Sequence, residues 1–286
     1  MEKVVVNDLI RIMKTENVKV IERLMGGMSN YTYAVSVNGK KYTYRIPGEN
    51  SDFFVDRLEE RENIRKVETL GITNKTIYFN LKDGCKLAEY VEGNPLSTLS
   101  EYPYEKVVEI LKIIHNSGLK AANDYQPFQR LKNYELILKE LGFVHSFHYL
   151  KLRASFNNFK TYLEGQEKVF THGDAQPSNF VYDGKNLIVV DFEFTGNNDP
   201  IYDIACFANI RYEEGLKLLQ VYYENPSDDE MKRFNLWRCF QCLQWYNVAM
   251  IKEKKGMSKS LKIDFAKVAE NYLELAEMLL NKVLDS

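Results

Sequence analysis

Tyr31, Tyr33, Val35 and Val37 alternate with other residues, Asn38-Gly39 breaks the run, and Tyr42, Tyr44 and Ile46 alternate again. Period two on both sides of an Asn-Gly pair specifies a tight β-hairpin with one face buried. The neighbouring segments extend it. Asn17–Met25 is β-branched and apolar until Gly26-Gly27 interrupts it, and Pro47-Gly48 ends the second hairpin strand. Asp56–Leu70 changes to a helical period, with Ile64 and Val67 on one stripe and Gly71 as the stop. Thr76–Leu81 and Cys85–Val91 then flank an Asp83-Gly84 turn. Residues 1–91 therefore read strand–strand–strand–helix–strand–strand.

Glu92–Pro103, with Gly93, Pro95, three serines and Pro103, marks a junction between an N-terminal lobe, 1–91, and a C-terminal lobe, 92–286. Beyond it the period is mostly helical: Glu105–Asn116, Asn133–Gly142, Tyr149–Glu164, Glu213–Tyr223, Asp228–Lys254 and Ser260–Leu284. One island differs, where the short apolar runs Lys168–His172 and Leu187–Asp191 read as strands. The class is α+β. With 38 Lys+Arg against 40 Asp+Glu among 286 residues, the chain lacks the basic excess of a nucleic-acid binder. No stretch approaches the ~20 apolar residues of a membrane helix, and the N-terminus lacks a signal peptide's apolar core. Four scattered cysteines are not a disulfide framework, and Cys239-x-x-Cys242 lacks the second ligand pair of a zinc site. The expectation is a cytoplasmic protein with reduced thiols.

The chemistry concentrates in residues 171–193, THGDAQPSNFVYDGKNLIVVDFE. Asp174 and Asn179 occupy the loop after one strand, Asp191 ends the next, and Glu193 follows. A carboxylate, an amide oxygen and a second carboxylate are thus directed to one small volume. Phosphoryl transfer needs such a set: a base for the nucleophile's proton and hard oxygen ligands for Mg²⁺. Taken singly, each residue also suits a turn or a cap. Glu60 adds a second signal. It shares the Ile64/Val67 stripe, and a glutamate there demands a partner; Arg45, on the strand face opposite Tyr42, Tyr44 and Ile46, would supply one, though taken alone a strand arginine more readily reads as a solvated charge.

His172-Gly173-Asp174, Asn179 and Asp191-Phe192-Glu193 together resemble the catalytic loop and metal segment of the choline/ethanolamine kinase family, within the aminoglycoside-phosphotransferase and protein-kinase-like group. MGGMSNYTYAV resembles the family's phosphate loop, Tyr44-Arg45-Ile46-Pro47-Gly48 its third strand, and AEYVEG its hinge. Asp56-Arg57, Glu60 and Asn63 are similar to its first helix, and Asp203-Ile204-Ala205 to the segment after the metal site. The resemblance implies a two-lobed, protein-kinase-like fold that uses ATP and Mg²⁺. It implies Asp174 as catalytic base and Asn179 and Asp191 as catalytic metal ligands, with Glu193 near the metals. Gly26, Gly27, Met28, Ser29 and Asn30 would surround the phosphates. Arg45, positioned by Glu60, would contact them, and Glu89 and Val91 would offer backbone groups to adenine. His172 is read as a structural residue of the loop. Asp203 is open between ordering that loop and capping the helix near Ile204.

For the acceptor, Tyr202, Trp237, Trp245 and Tyr246 are candidate walls of an ammonium cage, with core packing as the competing reading. Two family positions depart from the choline kinase pattern: an acidic residue is replaced by Ile210 and a second tryptophan by Val248. The expected activity is transfer of the γ-phosphoryl of ATP to a hydroxyl of choline or a related amino alcohol. An aminoglycoside or thiamine is the alternative acceptor, and a catalytically inactive kinase-like binding module is the alternative from another class. The expected partner is this small molecule, with no nucleic acid and no membrane. Neither the acceptor's identity nor the oligomeric state follows from the residues.

Overall fold

A computed structural model describes residues 1–24, 30–48 and 55–285. The expected phosphate-loop residues Gly26, Gly27, Met28 and Ser29 lie outside the described residues. In chain order the elements begin with α1 (Glu2–Met13), β1 (Val18–Leu24), β2 (Asn30–Val37), β3 (Lys40–Pro47), α2 (Arg57–Glu68), β4 (Thr76–Phe79) and β5 (Lys86–Glu89). There follow β6 (Asn94–Pro95), α3 (Tyr104–His115), α4 (Pro127–Glu140), α5 (Phe147–Asn157), α6 (Lys160–Glu164), β7 (Val169–Thr171), β8 (Phe180–Tyr182), β9 (Leu187–Val189) and β10 (Gly196–Asn198). Five helices close the chain: α7 (Ile201–Phe207), α8 (Tyr212–Tyr223), α9 (Asp228–Lys254), α10 (Met257–Leu261) and α11 (Phe265–Leu284).

Packing divides the chain into two compact units. The first holds residues 1–123 and 172–196, the second 124–171 and 197–286. The sequence reading cuts the chain once, at 91/92. The packing division crosses the chain three times, because the 172–196 segment packs on α2 and on α3 and groups with residues 1–123.

Unit 1 is built on an antiparallel sheet of order β1-β2-β3-β5-β4. Asn38-Gly39 closes the β2–β3 hairpin in the expected register, Val37 opposite Lys40 and Tyr33 opposite Tyr44. The alternation has a physical cause. Tyr33, Val35, Tyr44 and Leu87 form one core with Val5 and Leu9 of α1. Helix α1 is absent from the sequence reading. Its apolar residues are few, but Val5 and Leu9, one turn apart, are wholly buried, and Tyr44 donates its hydroxyl to Asp8 at 3.1 Å. Arg45, on the other face of β3, turns toward α2. Asp56 caps that helix by accepting from the amides of Leu58 and Glu59. Its buried stripe is Glu60, Asn63, Ile64 and Val67. A second sheet, of order β6-β8-β9, carries the 171–193 segment.

Unit 2 is helical around α9, which begins with a capping box between Ser227 and Glu230. Residues Phe234 to Gln244 of α9 are all buried, so the helix runs through a core rather than along a surface. The expected helix over 149–164 is two, α5 and α6, and that over 260–284 is α10 and α11. The four cysteines are free and buried. Among the described residues no helix is long and apolar enough to cross a membrane.

Candidate active site

Gly173 shows why the catalytic loop takes its course. Its φ is +80°, and a Cβ there would lie 2.0 Å from the carbonyl oxygen of Phe194. Only glycine allows the loop to press against the turn that follows Asp191. His172, fully buried, fastens the same two segments. Its Nδ1 accepts the Asp174 amide at 3.2 Å, which places its proton on Nε2 for donation to the Val190 carbonyl at 2.9 Å. Its ring packs on Phe192. A histidine spent in this way positions the loop and has no nitrogen left for chemistry.

Asp174 is gripped rather than free. Its Oδ2 accepts from Gln176 Nε2 at 3.0 Å and from Asn179 Nδ2 at 3.1 Å, and Asn179 Nδ2 also reaches the Asp174 carbonyl at 2.8 Å. The amide nitrogen of Asn179 is thus used for orientation, and its side-chain oxygen is the atom available to a cation. Burial, then the charge of Asp191, holds the Asp174 carboxyl well above the usual carboxylate range. Asp191 itself adopts a left-handed backbone, φ 69°. Such a conformation at a non-glycine residue is strained and concentrates at functional positions.

Opposite these residues stands a buried charge network. Arg45, 4% exposed, pairs through Nη2 with Glu60 Oε1 at 2.6 Å and through Nη1 with Asp191 at 3.2 Å and Glu193 at 3.4 Å. It also donates to the carbonyl of Gly84 at 3.0 Å. Arg57 holds the second oxygen of Glu60 at 2.8 Å and lies 3.9 Å from Glu193. Sequence reasoning placed Arg57 on the helix but gave it no role. Its spacing of three from Glu60 was the available signal. Gly84 has φ +70°, a conformation that favours glycine, and a Cβ there would also displace the Arg57 side chain.

Lys86 was also missed. It is the cross-strand partner of Arg45, and burial, then the Arg45 charge, lowers its pKa. Asn30 donates to Glu193 Oε1 at 3.0 Å, so its amide nitrogen serves a carboxylate. Glu89 has its N–H given to the Lys75 carbonyl and its carbonyl engaged by Asn74 Nδ2. Only the second lone pair of that carbonyl remains for another donor. Val91 lies half-buried just beyond β5.

Among the described residues no three His, Cys, Asp or Glu side chains form a ready metal cluster. The candidate set is mixed: the Asn179 oxygen, Asp191 and Glu193. It fits Mg²⁺ on two observations. Glu193, buried beside Asp191, is pushed up to about 7, so the carboxylates there call for added positive charge. Asn30 Oδ1 is buried without a donor, which a hydrated cation supplies.

In unit 2, Tyr202 and Trp237 are fully buried and in edge contact at 5.5 Å. The Tyr202 hydroxyl shares a 2.6 Å bond with that of Tyr125, and Trp237 Nε1 donates to Asp199 at 2.8 Å. Tyr246 belongs to a different stack, with Tyr149 at 4.8 Å, while Trp245 is half-buried. The structure therefore joins two of the four expected acceptor rings. Asp203 is fully buried in the first turn of α7, and Ile210 is exposed.

An antiparallel sheet with a buried Arg–Glu pair, a gripped aspartate and a second aspartate in a left-handed backbone is the arrangement of the protein-kinase-like fold class. The choline kinase LicA of Streptococcus pneumoniae superposes with a TM-score of 0.81 over 99% of each chain, at 24% identity. A LicA structure in complex with AMP does so at 0.78 and 23% identity, again over 99% of each chain. Protein LicA of Haemophilus influenzae is 26% identical over 250 residues, 81% of this chain and 73% of that protein. The choline/ethanolamine kinase family model matches residues 21–235, and the chain belongs to that family. It is an ATP-dependent kinase with an alcohol as acceptor.

Proposed function

We propose that Asp174 accepts the proton of the acceptor hydroxyl as that oxygen attacks the γ-phosphorus of ATP, with choline or a closely related amino alcohol as acceptor and the cytoplasm as the place of action. The observation that carries the reading is the Asp174 grip. Two amide donors fix one carboxylate oxygen, leave the other for the hydroxyl, and burial raises its basicity. Asn179, Asp191 and Glu193 would hold Mg²⁺, which when bound screens the charge of the phosphates. Arg45 is locked in one rotamer by Glu60 and Gly84, so a guanidinium contact to phosphate requires no reordering. Residues 1–91 would serve as the nucleotide lobe and 92–286 as the catalytic and acceptor lobe. Trp245, the less enclosed of the two indoles, supports the cage reading most directly.

The test is ATP consumption with Mg²⁺ over choline, ethanolamine, thiamine and aminoglycosides, with Asp174→Asn as the blank. Turnover with choline or ethanolamine, lowered about 10²–10⁴-fold in the variant, is expected. Turnover confined to aminoglycosides or thiamine would move the acceptor, and none with any hydroxyl compound would end the kinase reading.

A further inference from the structure

Unit 2 carries a partly open cavity of about 890 Å³ whose lining is unlike that of an ammonium pocket. Four cations, Lys132, Arg153, Lys160 and Lys168, face two carboxylates, Glu135 and Glu164. Three of the cations already have partners. Arg153 meets Glu135 at 2.9 Å, Lys160 lies 3.9 Å from Glu164, and Lys168 meets Asp124 at 2.9 Å. Lys132 makes no ion pair among the described residues. The cavity also takes in the start of α4, a helix of 14 residues whose first turn receives no side-chain cap. Pro127 has no N–H, but the Phe128 and Gln129 N–H groups and the helix dipole favour negative charge.

An independent observation comes from β10. Asn198 lines the same cavity and is 4% exposed, yet its Nδ2 has no acceptor. A buried amide donor without a partner costs free energy that an anionic ligand would recover. Phe128 and Leu163 supply an apolar wall. Trp237 also lines the cavity, but its indole N–H is given to Asp199, and the excess of cations repels an ammonium group.

We propose that this cavity binds a small organic phosphate monoester. Its phosphate is held by the α4 N-terminus, Asn198 Nδ2 and Lys132, and its organic part lies against Phe128. The volume lies within the range of small-molecule pockets and exceeds what inorganic phosphate alone would fill. Phosphate at a helix N-terminus, backed by an amide and a lysine, is a recurrent mode of recognition. The assignment is independent of which alcohol the enzyme phosphorylates.

The experiment is titration calorimetry of the full chain with phenyl phosphate, in saturating ADP to occupy the nucleotide site, with phenol as the uncharged control. Saturable binding of phenyl phosphate but not phenol is expected. It should weaken about tenfold or more in the exposed-site variant Lys132→Glu and in Asn198→Ala, the loss of one charge-assisted contact. Three results would overturn the proposal: no saturable binding, binding abolished by ADP, or binding indifferent to Lys132→Glu. Should Asn198→Ala not fold, Lys132→Glu decides alone.

Discussion

Glu60 illustrates how one side chain can commit a helix. It is 1% exposed and divides its two oxygens between Arg45 and Arg57. Removing one member of a buried pair strands the other charges. Glu60→Ala is expected to cost about 3–5 kcal/mol in chemical denaturation, and a cost below 1 kcal/mol would show the pair to be solvated. Lys252 shows what burial does to a charge. It is 9% exposed, lies 5.5 Å above the Phe265 ring, and burial lowers its pKa from 10.5 to about 8. Above pH 8 the folded chain sheds a proton that the unfolded chain keeps until about 10.5, so this group's contribution rises with pH across that window. Below 8 the penalty of charging it is fully present. Lys252→Met should therefore stabilise the protein by roughly 3 kcal/mol at pH 7, and the gain should fade toward pH 10.5. A gain that is flat with pH would refute desolvation as its source.

Helix α1 covers the sheet face opposite Arg45, through Val5 and Leu9. Leu9→Ala, which opens a cavity under Tyr33 and Tyr44, is expected to lower stability by about 2–5 kcal/mol. Denaturant midpoints measure it, and a neutral result would detach α1 from the core. The contrast with the hairpin is instructive. Strands β2 and β3 were legible because alternation and Asn38-Gly39 act on the same few residues. So was the Glu60–Arg45 pairing, because a glutamate on an apolar stripe requires a cation. Helix α1 was not legible, because Val4, Val5 and Val6 in a row obscure the helical period. The split of 149–164 into α5 and α6 is a matter of backbone at Asn157–Phe159, where no proline or glycine announces it. Arg57, Lys86 and the full use of Trp237 by Asp199 depend on contacts between distant segments, which a local period does not encode.

For the molecule as a whole, binding and folding are one equilibrium. A nucleotide bound to the folded chain stabilises it by RT ln(1 + [L]/Kd), about 2.7 kcal/mol at a hundredfold excess over Kd. ATP with Mg²⁺ should raise the melting temperature of the wild type, and less so in Glu193→Gln. An equal rise in both would remove Glu193 from the site. A last consequence follows from the composition of unit 1, which takes residues 1–123 and then waits for 172–196. As the chain leaves the ribosome, Arg45 and Arg57 emerge with Glu60, but Asp191 and Glu193 arrive more than a hundred residues later. Until then the nascent sheet carries an unbalanced cationic wall. Its completion is tied to synthesis of residues 172–196, so a chain interrupted before residue 172 cannot complete this unit.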